Sequence, residues 1–351
     1  MALLPACLGT ATAQTTDTGA RMERVAEGVY AIVHDDATDE WPHGNTGVVM
    51  ADDGVLVVDS TYLPSRARAD IALIRSITDR PVRYPINTHW HFDHNNGNAA
   101  YREAFPGVTI VSERNTRDYI DLNNTWWPRM ATAPDSAKRL SLAKLEEKLE
   151  TGVDDAGDPL SVDAGQVRER HIRQRHDELE ELASLEVVAP DLIFDSALTL
   201  SLGDRRIELR DWGRANSPHD VTVYLPDEQI LFTGDIVVQA PVPYLGDSWP
   251  VSWIEVLRQM EAIPVTALVP GHGPVMHDHA YTRQVRELLE AATSRVEAMA
   301  RRGMTLEQIQ GAIEFDDLRQ GVWSDPALDD DWKTIMDVLV ERVWRGVRGQ
   351  G

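Results

Sequence analysis

A chain of 351 residues with one cysteine, Cys7, has no internal disulfide and no thiolate to spare for a metal. Whatever chemistry it performs rests on nitrogen and oxygen donors. Basic residues are scarce beside acidic ones, 34 against 57, for a formal net charge of −23. Such a surface repels a polyanion at long range, so nucleic acid is not an expected partner and a small-molecule substrate is. No apolar run approaches the ~18 residues that span a bilayer, so no integral membrane span is expected. Hydrophobic residues make up 42% of the chain, enough for a packed core and a globular fold. Nothing in the sequence speaks to oligomeric state.

The first residues, M-A-L-L-P-A-C-L-G-T-A-T-A-Q, form an apolar stretch with small residues around Thr10 to Ala13. This reads either as the end of a secretory signal lacking its basic start or as a disordered tail over residues 1–21. The first reading places the protein in the periplasm or outside the cell, the second in the cytoplasm.

The informative stretch is I-N-T-H-W-H-F-D-H-N-N-G-N, residues 86–98, at the end of a short apolar strand over 82–86. Alternation along an extended chain puts His89, His91 and Asp93 on one side, and His94 joins them once the chain turns. Burying three imidazoles and a carboxylate within six residues requires a partner for each. A transition metal satisfies all four; the competing reading is a solvated His-rich loop.

Around this stretch the chain alternates strands and helices. Short β-rich runs lie at 29–33, 46–50 and 54–59, followed by helical spacing over 64–78, a helix at 98–105 and a strand at 108–112. Composition then shifts: from about 117 to 190 the chain is charged and helical, with helices at 137–149 and 166–185 and the linker T-G-V-D-D-A-G-D-P between them. His171 and His176 there suit a solvated face, and Trp126 and Trp127 suit packing at the hinge of this segment more than a substrate pocket. Strands are expected at 192–200, 206–210, 221–225, 230–232 and 266–269, with helices at 253–263, 285–299, 305–313 and 332–347. The helix at 305 opens with a T-x-x-Q capping box.

Three further clusters stand at strand ends: G-R-A-N-S-P-H-D at 213–220, T-G-D at 233–235 and P-G-H-G at 270–273. Together with H-x-H-x-D-H at 89–94 they resemble the metallo-β-lactamase superfamily, over roughly residues 22–279 apart from the helical insertion at 117–190. The resemblance implies an α+β fold, a four-layer αββα sandwich (residues 22–301), followed by a C-terminal helical extension (302–351). It also implies a binuclear centre: His89 and His91 on one metal, Asp93, His94 and His272 on the other, Asp235 bridging both, and Asp59 supporting from behind. Asp59 also reads as an ordinary strand-end cap. Zinc is the implied metal, one or two ions, with Mn or Fe compatible with an oxygen-bearing donor set. His277 and His279 receive no role from the resemblance and are expected at the surface.

One position departs from the family pattern G-x-x-H-T-x-G-D. Asn216 stands where that pattern has the third imidazole of the first metal, and His219 where it has glycine. Either Asn216 binds weakly through its amide oxygen, or His219 swings in as a substitute; the first is favoured because a three-residue displacement needs a changed backbone path. On that reading one metal is held tightly and the other weakly.

The chemistry implied is hydrolysis by a metal-bound hydroxide, with Asp93 orienting it and taking up its proton, on an ester, lactone, thioester or amide (β-lactam-like) bond. A β-lactamase proper is the first alternative, although the Lys that holds the substrate carboxylate in Cys-bearing enzymes is replaced here by Val238. A one-iron thiol dioxygenase would need the histidine that is Asn216. A non-catalytic, metal-stabilised binding protein is the alternative outside enzymes.

Overall fold

The computed structural model describes residues 14–15, 20–34, 43–153, 159–239, 245–319, 322 and 329–349. Cys7, the signal-like stretch before Gln14 and part of the 151–159 linker lie outside the described residues.

Two sheets face each other. The first runs in chain order, β1 (Gln14–Thr15), β2 (Arg21–Ala26), β3 (Val29–Val33), β4 (Thr46–Ala51), β5 (Gly54–Val58), β6 (Val82–Asn87), β7 (Val111–Glu113) and β8 (Leu192–Phe194). It is antiparallel up to β5 and parallel from β5 to β8. The second holds β9 (Ala197–Leu202), β10 (Arg205–Asp211), β11 (Val221–Leu225), β12 (Ile230–Phe232) and β13 (Ala267–Val269), antiparallel except for the β12–β13 pair.

The strand residues explain why the sheets stack. In β3, Val29, Ala31 and Val33 enter the core between the sheets while Ile32 faces the other side; in β5, Leu56 and Val58 face inward and Val55 and Val57 outward. Ile207, Leu209, Val223, Leu225 and Phe232 supply the facing half of that core. Phe232 packs against β4, where a Cβ on Gly47 would sit 2.4 Å from its ring.

Helices close both outer faces and complete the αββα layering. Helix α1 (Pro64–Ile77) opens with proline in its first turn, where the missing N–H costs nothing, and buries Ala67, Ile71 and Ile74 at four- and three-residue spacing. With α2 (Asn98–Ala104) it covers the first sheet. Helices α7 (Pro250–Met260), α8 (Ala280–Arg301), α9 (Leu306–Gln310) and α10 (Asp329–Val347) cover the second, sharing one core in which Trp253, Leu289, Val296, Leu339 and Val340 are buried. The capping box of Thr305 and Gln308 is formed.

Between β7 and β8 the chain makes α3 (Arg114–Asn123), α4 (Trp127–Thr132), α5 (Ala137–Thr151) and α6 (Val162–Ala183). Their core of Trp127, Ala131, Leu142, Leu179 and Leu182 includes Tyr62 and Leu63 from the first sheet's flank. The Tyr62 hydroxyl donates to buried Glu178 (2.6 Å), which also pairs with Lys138 and with Arg175 (2.8 Å). Trp127 packs edge-on against Phe92 of the histidine loop (4.3 Å between centroids), and Trp126 stacks outside it, 43% exposed. His171 and His176 are exposed.

The single strand expected at 192–200 is instead two, β8 and β9, on different sheets. Asp195 and Ser196 break it, and Ser196 accepts from the Asp211 amide (2.9 Å), so the chain crosses between layers there. Apolar periodicity continues through both pieces, which is why the break is invisible to a pattern reading.

Phe232→Ala removes an aromatic ring from the middle of this sandwich and should destabilise the protein by about 3–5 kcal/mol. Urea unfolding should show a lower midpoint with an unchanged slope.

Candidate metal centre

The ligand-type residues sit in loops at one edge of the sandwich. His89 to His94 follow β6, the 213–220 loop joins β10 to β11, Asp235 follows β12 in a 3-10 turn over Gly234–Ile236, and His272 follows β13. Residues 44–45 hold two of these loops together: the Gly44 amide donates to Asp93 O (3.1 Å) and the Asn45 amide to Gly271 O (2.7 Å). The Asn45 side chain adds bonds to Pro270 O (3.0 Å) and Gly273 O (2.8 Å). Backbone approaches this close admit no side chain. A Cβ on Gly271 would lie 2.0 Å from Asp235 Oδ1, and one on Gly44 would lie 2.6 Å from His94 Cε1.

Four of the residues form a compact set. His94 Nε2 is 3.1 Å from His272 Nε2, 3.4 Å from Asp93 Oδ2 and 3.2 Å from Asp235 Oδ1; His272 Nε2 is 3.1 Å from Asp93 Oδ2 and 3.5 Å from Asp235 Oδ1. Donors at bonds of about 2.1 Å around a tetrahedral ion stand about 3.4 Å apart, so these spacings suit metal ligands, and Asp93, His94 and His272, and His89, His94 and Asp235, each bring three ligand atoms within 4.8 Å of one another. Asp235 also turns its other oxygen, Oδ2, toward His89 Nε2 at 3.6 Å. Its two oxygens thus face two different groups of histidines.

Hydrogen bonding fixes which atoms point inward. Asp59 accepts from the Thr88 amide (2.8 Å), the Thr88 hydroxyl (2.9 Å) and His94 Nδ1 (2.8 Å). With Nδ1 bonded to Asp59, His94 turns its Nε2 toward His272, and two ring nitrogens 3.1 Å apart need a proton or a cation between them. Asp59 holds this post at φ 62°, a conformation uncommon for a residue other than glycine. His89 Nε2 is buried with no hydrogen-bond partner among the described residues. A divalent ion fits these orphaned and opposed nitrogens, and the donor set of imidazole and carboxylate suits zinc, manganese or iron.

The electrostatics agree. Burial would push Asp93 and Asp235 up, yet His94 and His272 hold both carboxyls below the usual range, Asp93 well below. Burial would depress His94, but Asp235, Asp93 and Asp59 hold it well above the imidazole range. Burial and the charge of His94 hold His89 well below it. The site concentrates anionic charge that cations must balance.

His91 stands on the outer flank. Its ring lies 4.6 Å from that of His89, and its Nε2 lies 3.7 Å from Asp247 Oδ2. Asn216 is fully buried in the 213–220 loop. His219 is brought elsewhere: its Nδ1 bonds Asp211 (3.1 Å) and lies 3.7 Å from Glu113, and its carbonyl accepts from the Ser217 hydroxyl (2.9 Å). These contacts turn its ring away from the histidine cluster, so the structure does not supply it as a replacement imidazole. His277 is exposed and His279 bonds Ile263 O (2.9 Å).

Two acids near the site escape a reading of the sequence. Asp220 is buried; burial pushes its carboxyl up to about 7 against the Ser217 hydrogen bonds (amide to Oδ2, 2.8 Å) and His91, which lower it, while Asp235 raises it further. Its position at the end of the 213–220 cluster was the available signal. Asp247 had none.

Asp59→Ala should lower metal affinity about 10–100-fold by freeing the His94 ring, whereas His219→Ala should leave it within about twofold. Competition with a chromophoric chelator measures both.

Residues 39–300 match the sequence profile of the metallo-beta-lactamase superfamily. A curated relative, the linear primary-alkylsulfatase of Pseudomonas sp. (strain ATCC 19151), is 22% identical over 235 residues, 64% of this chain and 40% of that protein. Among solved structures, the stereoselective inverting sec-alkylsulfatase Pisa1 from Pseudomonas sp. superposes with a TM-score of 0.62 at 15% identity, covering 93% of this chain and 50% of that one. A metallo-beta-lactamase from Pontibacter korlensis superposes with a TM-score of 0.51 at 18% identity, covering 77% and 99%. The chain therefore spans half or less of the alkylsulfatases it matches, and these structural likenesses speak for the fold. With three quarters of its length inside the family profile and the fold in agreement, the chain belongs to the metallo-beta-lactamase superfamily.

Proposed function

We propose that the chain is a metal-dependent hydrolase of small anionic esters, with a sulfate ester as the leading substrate class and carboxylic esters, lactones, thioesters and β-lactam amides as the wider set. The observation that carries the hydrolase reading is the shell of His94, His272, Asp93 and Asp235 at spacings of 3.1–3.5 Å, with Asp235 facing His89 on its far side.

His89, His91, Asp93, His94, Asp235 and His272 would hold one or two divalent ions, zinc or else manganese or iron. When bound, such an ion polarises the electrophile's oxygen and brings the pKa of water toward neutrality. Asp93 is ionised at neutral pH, held so by His94 and His272, and is placed to orient the attacking water and accept its proton. Asp59 keeps the His94 ring from turning.

The sulfate reading draws on the alkylsulfatase relatives and on charge near the site. Arg214 and Arg342 stack on Trp249 at 4.9 and 5.0 Å, and the charge of Arg342 acts on Asp247, whose Oδ2 is 3.7 Å from His91 Nε2. A β-lactamase proper is disfavoured at position 238, where Val238 is buried and its carbonyl accepts from the Tyr281 hydroxyl (3.0 Å).

Metal-loaded protein tested on alkyl sulfates, carboxylic esters, lactones, thioesters and β-lactams should turn over an alkyl sulfate fastest. No turnover of any member would leave a metal-stabilised binding protein. Asp93→Asn at saturating metal should lower the turnover rate by about 10²-fold or more, and a wild-type rate would remove Asp93 from proton transfer.

A further inference from the structure

A second group of ligand-type side chains gathers where the first sheet meets the 213–220 loop, and it shares no residue with the histidine centre. Glu113 ends β7 and caps α3, Asp211 ends β10, and His219 comes from the loop that follows. Each brings one ligand atom within 4.8 Å of the other two. We propose that Glu113, Asp211 and His219 bind a divalent cation, of the zinc or manganese class that suits one imidazole and two carboxylates.

The distances separate this group from an ordinary polar pair. His219 Nδ1 is 3.1 Å from Asp211 Oδ2 and 3.7 Å from Glu113 Oε2. The shorter contact alone is a His–Asp hydrogen bond. The longer one is out of reach of the ring's single Nδ1 proton, and the two bracket the separation of about 3.4 Å between donors on a tetrahedral ion. A cation uses all three donors at once, and the Nδ1 proton leaves to solvent as it binds. The side chains of Glu113, Asp211 and His219 are 2%, 10% and 29% exposed, so the carboxylates are fixed in the interior while the imidazole side stays open to water.

Local bonding holds the donors in place. Glu113 accepts from the Thr116 amide (3.0 Å) and the Asn115 side chain (2.9 Å). The Gly213 amide donates to Asp211 Oδ1 (2.9 Å), which turns Oδ2 toward His219. At the base of the loop the Trp212 amide donates to Asp220 O (2.9 Å) and the Asp220 amide to Gly213 O (3.2 Å), setting Asp211 and His219 opposite each other. The His219 carbonyl accepts from the hydroxyls of Ser217 (2.9 Å) and Thr116 (3.4 Å).

Charge is an independent observation. Glu113, Asp211 and Asp220 all act on His219, and one protonated imidazole offsets only one of them. Asp220 is 2% exposed, and its Oδ1 has no hydrogen-bond partner among the described residues. Arg114, whose charge meets Glu113, is bonded to Asp195 (2.7 Å). A divalent ion offsets the two carboxylates it touches. It also clips β7 and α3 to the loop that carries Asn216, and from the end of that loop the Val221 amide donates to Thr88 O beside the histidine stretch (2.9 Å).

The test is a manganese titration of the whole chain, loaded with zinc and dialysed free of loosely held ions, read by loss of the free-ion electron paramagnetic resonance signal. Wild type should take up one more manganese per chain than His219→Ala, Asp211→Asn or Glu113→Gln. Affinity in each variant should fall about 10-fold or more, since even partners behind a ligand are worth 10–100-fold. Retained zinc and circular dichroism should match wild type, which keeps the histidine centre and the fold out of the comparison. His219→Asp should keep the ion, because a carboxylate replaces an imidazole for manganese, whereas two carboxylates cannot rebuild a His–Asp hydrogen bond. Manganese should raise the melting temperature of wild type and leave that of His219→Ala unchanged. Equal uptake by wild type and His219→Ala, or uptake by neither, would overturn this site while the retained zinc leaves the histidine centre standing.

Discussion

Like charges buried together set the terms for this fold. Asp59, Asp93, Asp220 and Asp235 are all nearly inaccessible to solvent and gather at one sandwich edge. Two unit charges 4 Å apart repel by about 4 kcal/mol even at an effective dielectric of 20. Each carboxylate therefore needs a dedicated counterweight, and the surrounding chain can be understood as supplying them. Asp59 has the Thr88 amide, the Thr88 hydroxyl and His94; Asp220 has the Ser217 amide and a raised pKa; Asp93 and Asp235 have the imidazoles of His94 and His272.

The sandwich makes this crowding tolerable by placing it where chain directions converge. Strands β5 and β6 in one sheet, and β12 and β13 in the other, run parallel, so the loops leaving β5, β6, β12 and β13 carry Asp59, the histidine stretch, Asp235 and His272 toward the same edge. Gly271 and Gly44 allow two of these loops to touch without a side chain between them. The apolar layers behind fix the strand ends from which these loops leave.

Most of this was legible because the signals were local. H-x-H-x-D-H at 89–94, T-G-D at 233–235 and P-G-H-G at 270–273 each announce themselves within a few residues, and the resemblance they carry implied the layered fold. What stayed hidden was non-local. Asp247 lies in G-D-S-W, with no neighbouring ligand-type residue, and the fold brings its Oδ2 within 3.7 Å of His91 Nε2. The crossing at Asp195 was masked because apolar residues continue on both sides of it. The direction of the His219 ring depended on Asp211 and Glu113, eight and more than a hundred residues away. The role of Trp127 against Phe92 was half visible: a Trp-Trp-Pro run signals packing, but not that the packing partner is the histidine loop itself.

Asp235 faces His94 and His272 with one oxygen and His89 with the other. A carboxylate is a rigid plane on a short stem, so an ion drawn to one oxygen fixes the direction of the second. It also withdraws negative charge from that second oxygen while cancelling repulsion from the neighbouring acids. On the proposed two-ion reading, the two halves are linked through this one carboxylate, so each ion would alter the other's affinity by the same factor.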